Sequence, residues 1–486
     1  MSTYIKNITI VFMAFFALSS CYKDKGNYDF TAVNDVYIDI PDSFTVKQGQ
    51  LLEITPTLNF NLTDQSSNLS FEWVVAVPEG TSNDSSLVVL STERNISVQV
   101  NYPAGNTYPL SFKVTDNSTG ITYRKKMVLM MITDLQPGFF VLEKTAGRGD
   151  ISFINTQKDS IVKNLFSTLN PDIILPETVH GIFVKDIPKY NFSAGGTSYS
   201  YPASNMSMVL FKDGGYVFDY RSGKVISKYE DLFLNAPEVV KPESFYLDYQ
   251  SCLLTFNNGK MYRMSMNKGQ NLFVDASIPP VGNEQSYLAP YIGGYASSTT
   301  IRLLYDKANH RWLNEGVSSL GLTEVTTSDL IPEKMVGLDL LTFKYGFGGT
   351  YSYAVFHNAS AGTNSLYTFS YASLNNIRIL DSTPGIEKSP DFIFSNNRYI
   401  MYYAIGNQLF LYDILANSSR SIYTLSAGEN IRTLISMDNN TIAIGTYGSE
   451  GSVYVFALSG TGDITNGTAS KTYHGLGEIV KIVYKS

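Results

Sequence analysis

The sequence predicts an all-β protein in which a β-sandwich precedes a seven-bladed β-propeller closed by its C-terminal strand. Three observations predict it. The composition holds 34 Tyr and 28 Phe against 16% charged residues, rich in strand formers and poor in the residues of long helices. A hairpin pattern recurs seven times between residue 137 and residue 486. The segment GLGEIVKIVYKS, Gly475 to Ser486, repeats the strand that opens the last repeat. With 486 residues the chain exceeds one ordinary core, so more than one domain is expected.

Residues 1–20 read as a targeting signal. Lys6 supplies the charge, and Ile8 to Leu18 form an apolar run too short for a stable span. Leu18-Ser19-Ser20-Cys21 has the form of a lipobox, so Cys21 is expected to carry lipid and become the N-terminus. The other cysteine, Cys252 in SCLLTF, then has no partner and is expected to be a small buried hydrophobe. Several acyl chains on one cysteine would anchor the protein stably, whereas one chain is marginal. Residues 21–35 are polar and read as a tether.

Residues 36–135 carry short strands separated by turn signals: VYIDI, LLEITPTL, LSFEWVVAV, SLVVLS, YPLSFKVTD and TYRKKMVLMMIT. In SFKVTD, Phe112 and Val114 are expected to face the core, and Lys113 and Thr115 the other side. About seven strands around one Trp73 point to an immunoglobulin-like sandwich, with Trp73 as its core residue.

From Pro137 the texture changes to an apolar strand, a tight polar turn and a short strand with an aromatic. The matched aromatics are Phe153, Phe218, Tyr262, Trp312, Tyr367, Phe410 and Tyr454. Their spacing and number suit seven blades of four strands each. Gly214-Gly215, Asn258-Gly259 and Gly406-Asn407 supply turn residues that tolerate positive φ. Continuous apolar runs such as IMYYAI and TIAIG fit strands covered on both faces. Helix signals are almost missing.

Ring closure follows from comparing the first and last repeats. Ile431 to Ile435 opens the last repeat, and Ile479 to Val483 matches it almost position for position. The first repeat begins directly with its hairpin at Phe139 and has no opening strand. The C-terminal strand should therefore become the innermost strand of blade 1, leaving no long exposed edge.

Chemical motifs are sparse. A net charge of −7 gives no basic stripe for phosphates, which argues against nucleic acid as a partner. The histidines, His180, His310, His357 and His474, fall in no metal-binding spacing, and no nucleotide or nucleophile-elbow motif occurs. No cofactor, metal or catalytic residue is therefore expected. His180 beside Glu177 is the nearest approach to an acid–base pair. Asp219, Asp306 and Asp413 recur at hairpin ends and are expected to hold turn amides. Two stretches depart from the repeat. Residues 188–207 set Tyr190, Phe192, Tyr199 and Tyr201 among Gly and Ser, a composition suited to a ligand-contacting loop. GFGGTYSY, residues 346–353, is the second.

The lipobox followed by CYKDKGNYDF, then FEWVV, SFKVTD and PGFFVLEKTAGRGDISFI, resembles the PKD-like lipoproteins of Bacteroidetes. The glycine-rich turn of true polycystic-kidney-disease repeats is not present. The resemblance implies an outer-membrane lipoprotein facing the cell exterior. It would serve a starch-utilisation-type import locus beside a TonB-dependent transporter and its lid lipoprotein. The function expected is non-enzymatic: binding of oligopeptides or glycans, or docking on the transporter. The alternative is a propeller lyase or hydrolase acting on a polysaccharide or peptide, its site assembled from distant blades.

Overall fold

The computed structural model describes residues 34–62, 68–78, 85–102, 106–187, 190–194, 197–201, 204–248, 252–265, 272–277, 285–294, 302–315, 321–371, 373–380, 383 and 385–486. Cys21 lies outside them.

The N-terminal strands form a five-stranded sheet faced by two strand pairs. In the large sheet Leu69–Pro78 lies between Ser85–Ser91 and Thr107–Asp116. Thr122–Ile132 then pairs in parallel with Ser43–Lys47. LLEITPTL is not one strand, because Pro56 cannot donate a ladder bond and interrupts it. Leu51–Ile54 pairs with Ile96–Gln99, while Thr57–Phe60 pairs with Val36–Asp39. Trp73 is fully buried between the layers, its ring 4.3 Å from that of Phe112. Its indole N–H donates to the Glu93 carbonyl at 3.0 Å, so the core tryptophan leaves no polar atom unmet. Phe112 and Val114 are buried, while Lys113 and Thr115 are only half-buried, as the alternation requires.

Among the described residues, seven further sheets have the propeller blade pattern, each a path of four antiparallel strands. The innermost strands are Glu478–Lys485, Val179–Ile187, Pro242–Asp248, Gly293–Gly294, Leu338–Tyr345, Phe392–Phe394 and Asn430–Asp438 for blades 1 to 7. All seven marker aromatics sit on third strands, from Phe153 in Arg148–Asn155 to Tyr454 in Gly451–Ala457. Every blade interface has its own buried apolar cluster. The run Phe139-Phe140-Val141-Leu142 shows why. Phe139 and Val141 join the cluster with blade 7, while Phe140 and Leu142 join the cluster with blade 2. A strand packed on both faces cannot alternate with polar residues.

Blade 1 is closed by the C-terminal strand. Phe140 pairs with Val483 and Phe139 with Tyr484, and Gly138–Thr145 continues to Arg148–Asn155. Ile479 and Ile482 are buried against blade 7. Because the strands alternate in direction, turns from inner to second strands share one face of the ring with turns from third to outer strands. The sandwich meets the propeller on that face. Thr133 donates to the Arg221 carbonyl at 2.6 Å, and Lys158 meets Asp134 at 2.5 Å. The Gln136–Pro137 bond at this junction is cis.

Helical structure is minor, but one short helix, Leu165–Leu169, was not legible in the sequence. It buries Leu165 and Phe166 against blades 1 and 2.

Candidate functional site

The innermost strands surround a cavity of about 360 Å³, walled by six of the seven blades. Its charged centre is Asp391, immediately before the inner strand of blade 6. The carboxylate meets Lys344 of blade 5 at 2.7 Å and Lys481 of blade 1 at 2.5 Å. The Phe392 N–H donates to Asp391 Oδ1 at 2.8 Å, and Thr433 of blade 7 approaches Oδ2 at 3.5 Å. Burial alone would push this carboxyl up, but Lys344 and Lys481 outweigh it and hold Asp391 well below the usual carboxylate range. The cluster thus ties the inner strands of four consecutive blades.

The opposite wall is aromatic and hydrogen-bonded. Tyr246 donates to the Pro290 carbonyl at 2.7 Å and Tyr291 to the Leu341 carbonyl at 3.0 Å. Burial pushes the Tyr291 phenol up to about 12, with Asp391 adding to the effect, so it stays a donor at any ordinary pH. Lys185, on the inner strand of blade 2, is pushed down by desolvation and then by Lys485. Glu243 is already engaged, accepting from the Gly259 N–H at 2.9 Å and the Tyr287 hydroxyl at 2.6 Å.

His180 lines this cavity. Burial pushes it down, against the pull of the Phe211 and Pro242 carbonyls, and the carboxylate acting on it is Glu243 rather than Glu177. The other histidines are placed locally: His357 Nδ1 is 2.8 Å from Asn364 Oδ1, and His310 occupies a tight turn at positive φ. His474 stands in a second cleft, on blade 7, with Ser452 Oγ at 2.9 Å and Glu450 at 3.9 Å. Both approach the same ring nitrogen, Nδ1. An activated serine needs its carboxylate on the opposite nitrogen, so this trio does not have that geometry.

The recurring aspartates hold turns. Asp219 accepts from the Arg221 N–H, Asp306 from Tyr287 and Ala308, and Asp413 from Leu415 and Ala416, all at 2.9–3.1 Å. Cys252 is buried beside Leu254 in the cluster between blades 3 and 4.

Within residues 188–207, the described segments are strands rather than a loop. Tyr190–Ala194 and Thr197–Tyr201 pair as a two-stranded ribbon, with Tyr190 opposite Tyr201 and Phe192 opposite Tyr199. The ribbon joins the inner and second strands of blade 2, on the face that carries the sandwich. Alternating Tyr, Phe and Ser is itself a strand pattern, and that signal could have identified it. The other irregular stretch, around Phe347, packs on the ring: Phe347 stacks on Tyr399 at 4.1 Å, and the Gly348 N–H donates to the Asn396 carbonyl. The Asp391 cluster has no counterpart among the sequence-predicted residues.

The model of the PKD-like family matches residues 21–178, which take in the sandwich and the first blade without its C-terminal inner strand. No curated protein matches the chain. Among solved structures the chain is similar to a quinonprotein alcohol dehydrogenase-like protein from Bacteroides thetaiotaomicron. That match has 13% identity and a TM-score of 0.46, covering 93% of this chain and 100% of that one. It is also similar to YCF48 from Cyanidioschyzon merolae, with 11% identity and a TM-score of 0.39 over 65% of this chain and 94% of that one. A protein of unknown function from Bacteroides caccae matches with 9% identity and a TM-score of 0.35, over 71% and 98% of the two chains.

Proposed function

We propose that this is a non-enzymatic lipoprotein of the outer membrane, anchored through Cys21 and facing the cell exterior. It binds oligopeptide or glycan nutrients, or docks on a TonB-dependent transporter and its lid lipoprotein. The observation that supports binding is the make-up of the central cavity. Asp391 is kept ionised by two lysines and Tyr291 is kept protonated, so the wall offers fixed charges and fixed donors. Such groups orient a ligand without exchanging protons with it. Tyr190, Phe192, Tyr199 and Tyr201 add a second contact surface on the sandwich-bearing face. Tethering near the membrane would raise the local concentration of captured ligand.

Purification from the native host in mild detergent tests this reading. A stable complex with a transporter and its lid is expected, and Cys21→Ser should release the protein from the membrane fraction. Isolation of the protein alone, together with turnover of a polysaccharide or peptide by it, would overturn the reading.

A further inference from the structure

The central cavity exposes an unequal share of its charges. Side-chain exposure is 39% for Lys344 and 35% for Lys481, but only 8% for Asp391. The two lysines are therefore more open to the cavity than the carboxylate they flank. Two ammonium charges against one carboxylate leave one positive charge unmatched at this point. Glu243, the other carboxylate on the wall, is satisfied by Tyr287, Gly259 and Lys241, the last at 3.9 Å.

Donors also remain. An ammonium group has three N–H bonds. Lys344 directs them to Asp391 and to the Phe392 carbonyl at 2.8 Å, and Lys481 to Asp391. Thr342, on the same wall and 2% exposed, keeps its hydroxyl without a hydrogen-bond partner. Its oxygen is shielded from the cavity, so the free donors that a ligand can meet are those of the two ammonium groups. The volume equals that of about twelve water molecules, room for a ligand of about a dozen heavy atoms.

We propose that this cavity is a binding site for a small carboxylate. Lys344 and Lys481 hold the carboxylate oxygens, and Tyr246 and Tyr291 form the opposing wall. Two sources share this chemistry, a uronic acid and the free C-terminus of a short peptide. The inference rests on the capture reading above and names the ligand class for it.

Calorimetric titration of the full chain uses two matched pairs: glucuronate against glucose, and N-acetyl-Ala-Ala against its C-terminal amide. One acid is expected to bind and its neutral counterpart not, and the pair that responds identifies the source. Lys344→Met and Lys481→Met should each weaken binding about tenfold or more. Lys344→Arg should retain it. If the methionine variants do not fold, the wild-type protein still decides the matter. The binding acid should protect Lys344 and Lys481 from reductive methylation, read by mass spectrometry. Equal binding of acid and neutral forms, no response to either acid at 10 mM, or unchanged lysine labelling would each overturn the proposal. Carboxylate binding by a protein that never co-purifies with a transporter would count against docking alone. Transporter docking without carboxylate binding would count against this site alone.

Discussion

Glu143 accepts the backbone N–H of Gly477 at 2.6 Å across 334 residues of chain. The contact fixes the start of the C-terminal strand onto the second strand of blade 1. A side chain at 477 would not fit: a Cβ there would lie 2.3 Å from Thr145 Oγ1 and 2.6 Å from the Lys144 carbonyl. The Lys144 oxygen belongs to the backbone ladder and cannot swing away.

Gly477→Ala should therefore weaken ring closure by about 1–3 kcal/mol, the usual range for overpacking. Urea denaturation of the full chain checks this, with Gly475→Ala as a contrast. Gly475 has a φ of 82°, so its substitution strains the backbone, with the flexible Lys163 side chain as its nearest contact.

Deleting residues 475–486 removes the inner strand of blade 1. Burial of Ile479 and Ile482 is lost, worth about 2–3 kcal/mol each. The ladder edge of Gly138–Thr145 is also laid open. Against a typical margin of about 5–15 kcal/mol, the truncated propeller should melt earlier and self-associate. Size-exclusion chromatography and thermal denaturation measure both. A monomer of unchanged stability would contradict closure by this strand.

Glu143 also gives ring closure a pH dependence. Burial pushes its carboxyl up, outweighing the Ser152 and Gly477 donors that pull it down. A carboxyl with a raised folded pKa contributes stability that is fully present below its unfolded pKa, about 4.3. That contribution is lost as pH rises through the folded value. Glu143→Gln should flatten this part of the profile, seen as a smaller change in urea midpoint between mildly acidic and neutral pH. An unchanged profile would refute the assignment.

Asp391 has the opposite sign. Its folded pKa is depressed, so its contribution is present above the unfolded carboxyl pKa and is lost as pH falls toward the folded value. Asp391→Asn leaves Lys344 and Lys481 facing each other without a counter-charge. The cost should be about 2–3 kcal/mol at neutral pH, below the value for a wholly buried pair because both lysines are about one-third exposed. Chemical denaturation at low and high salt checks it, and added anion should recover part of the loss.

The architecture was legible because it repeats. Phe153, Trp312 and Tyr454 mark third strands, and each lies in a short pattern that a linear reading can match. Closure was legible because Ile479 to Val483 copies Ile431 to Ile435. Short polar strands were harder: Ser43–Lys47 and Ile96–Gln99 have no strong apolar run and depend on their partners for shape. The Asp391 cluster could not be read at all. Lys344 and Lys481 lie 47 and 90 residues from Asp391 in sequence, each in an ordinary strand context. They meet only because the ring brings its innermost strands round one axis. Even a correct blade count leaves open which inward positions share a level.

The order of synthesis also bears on the closing strand. Blade 1 is made first among the blades, yet its inner strand, Glu478–Lys485, is made after all the others. Until that strand arrives, Gly138–Thr145 has an unpaired edge and Glu143 lacks its amide partner. A chain without residues 478–485 would therefore keep an open seam between blades 7 and 1, the exposed edge that sheet proteins otherwise cover.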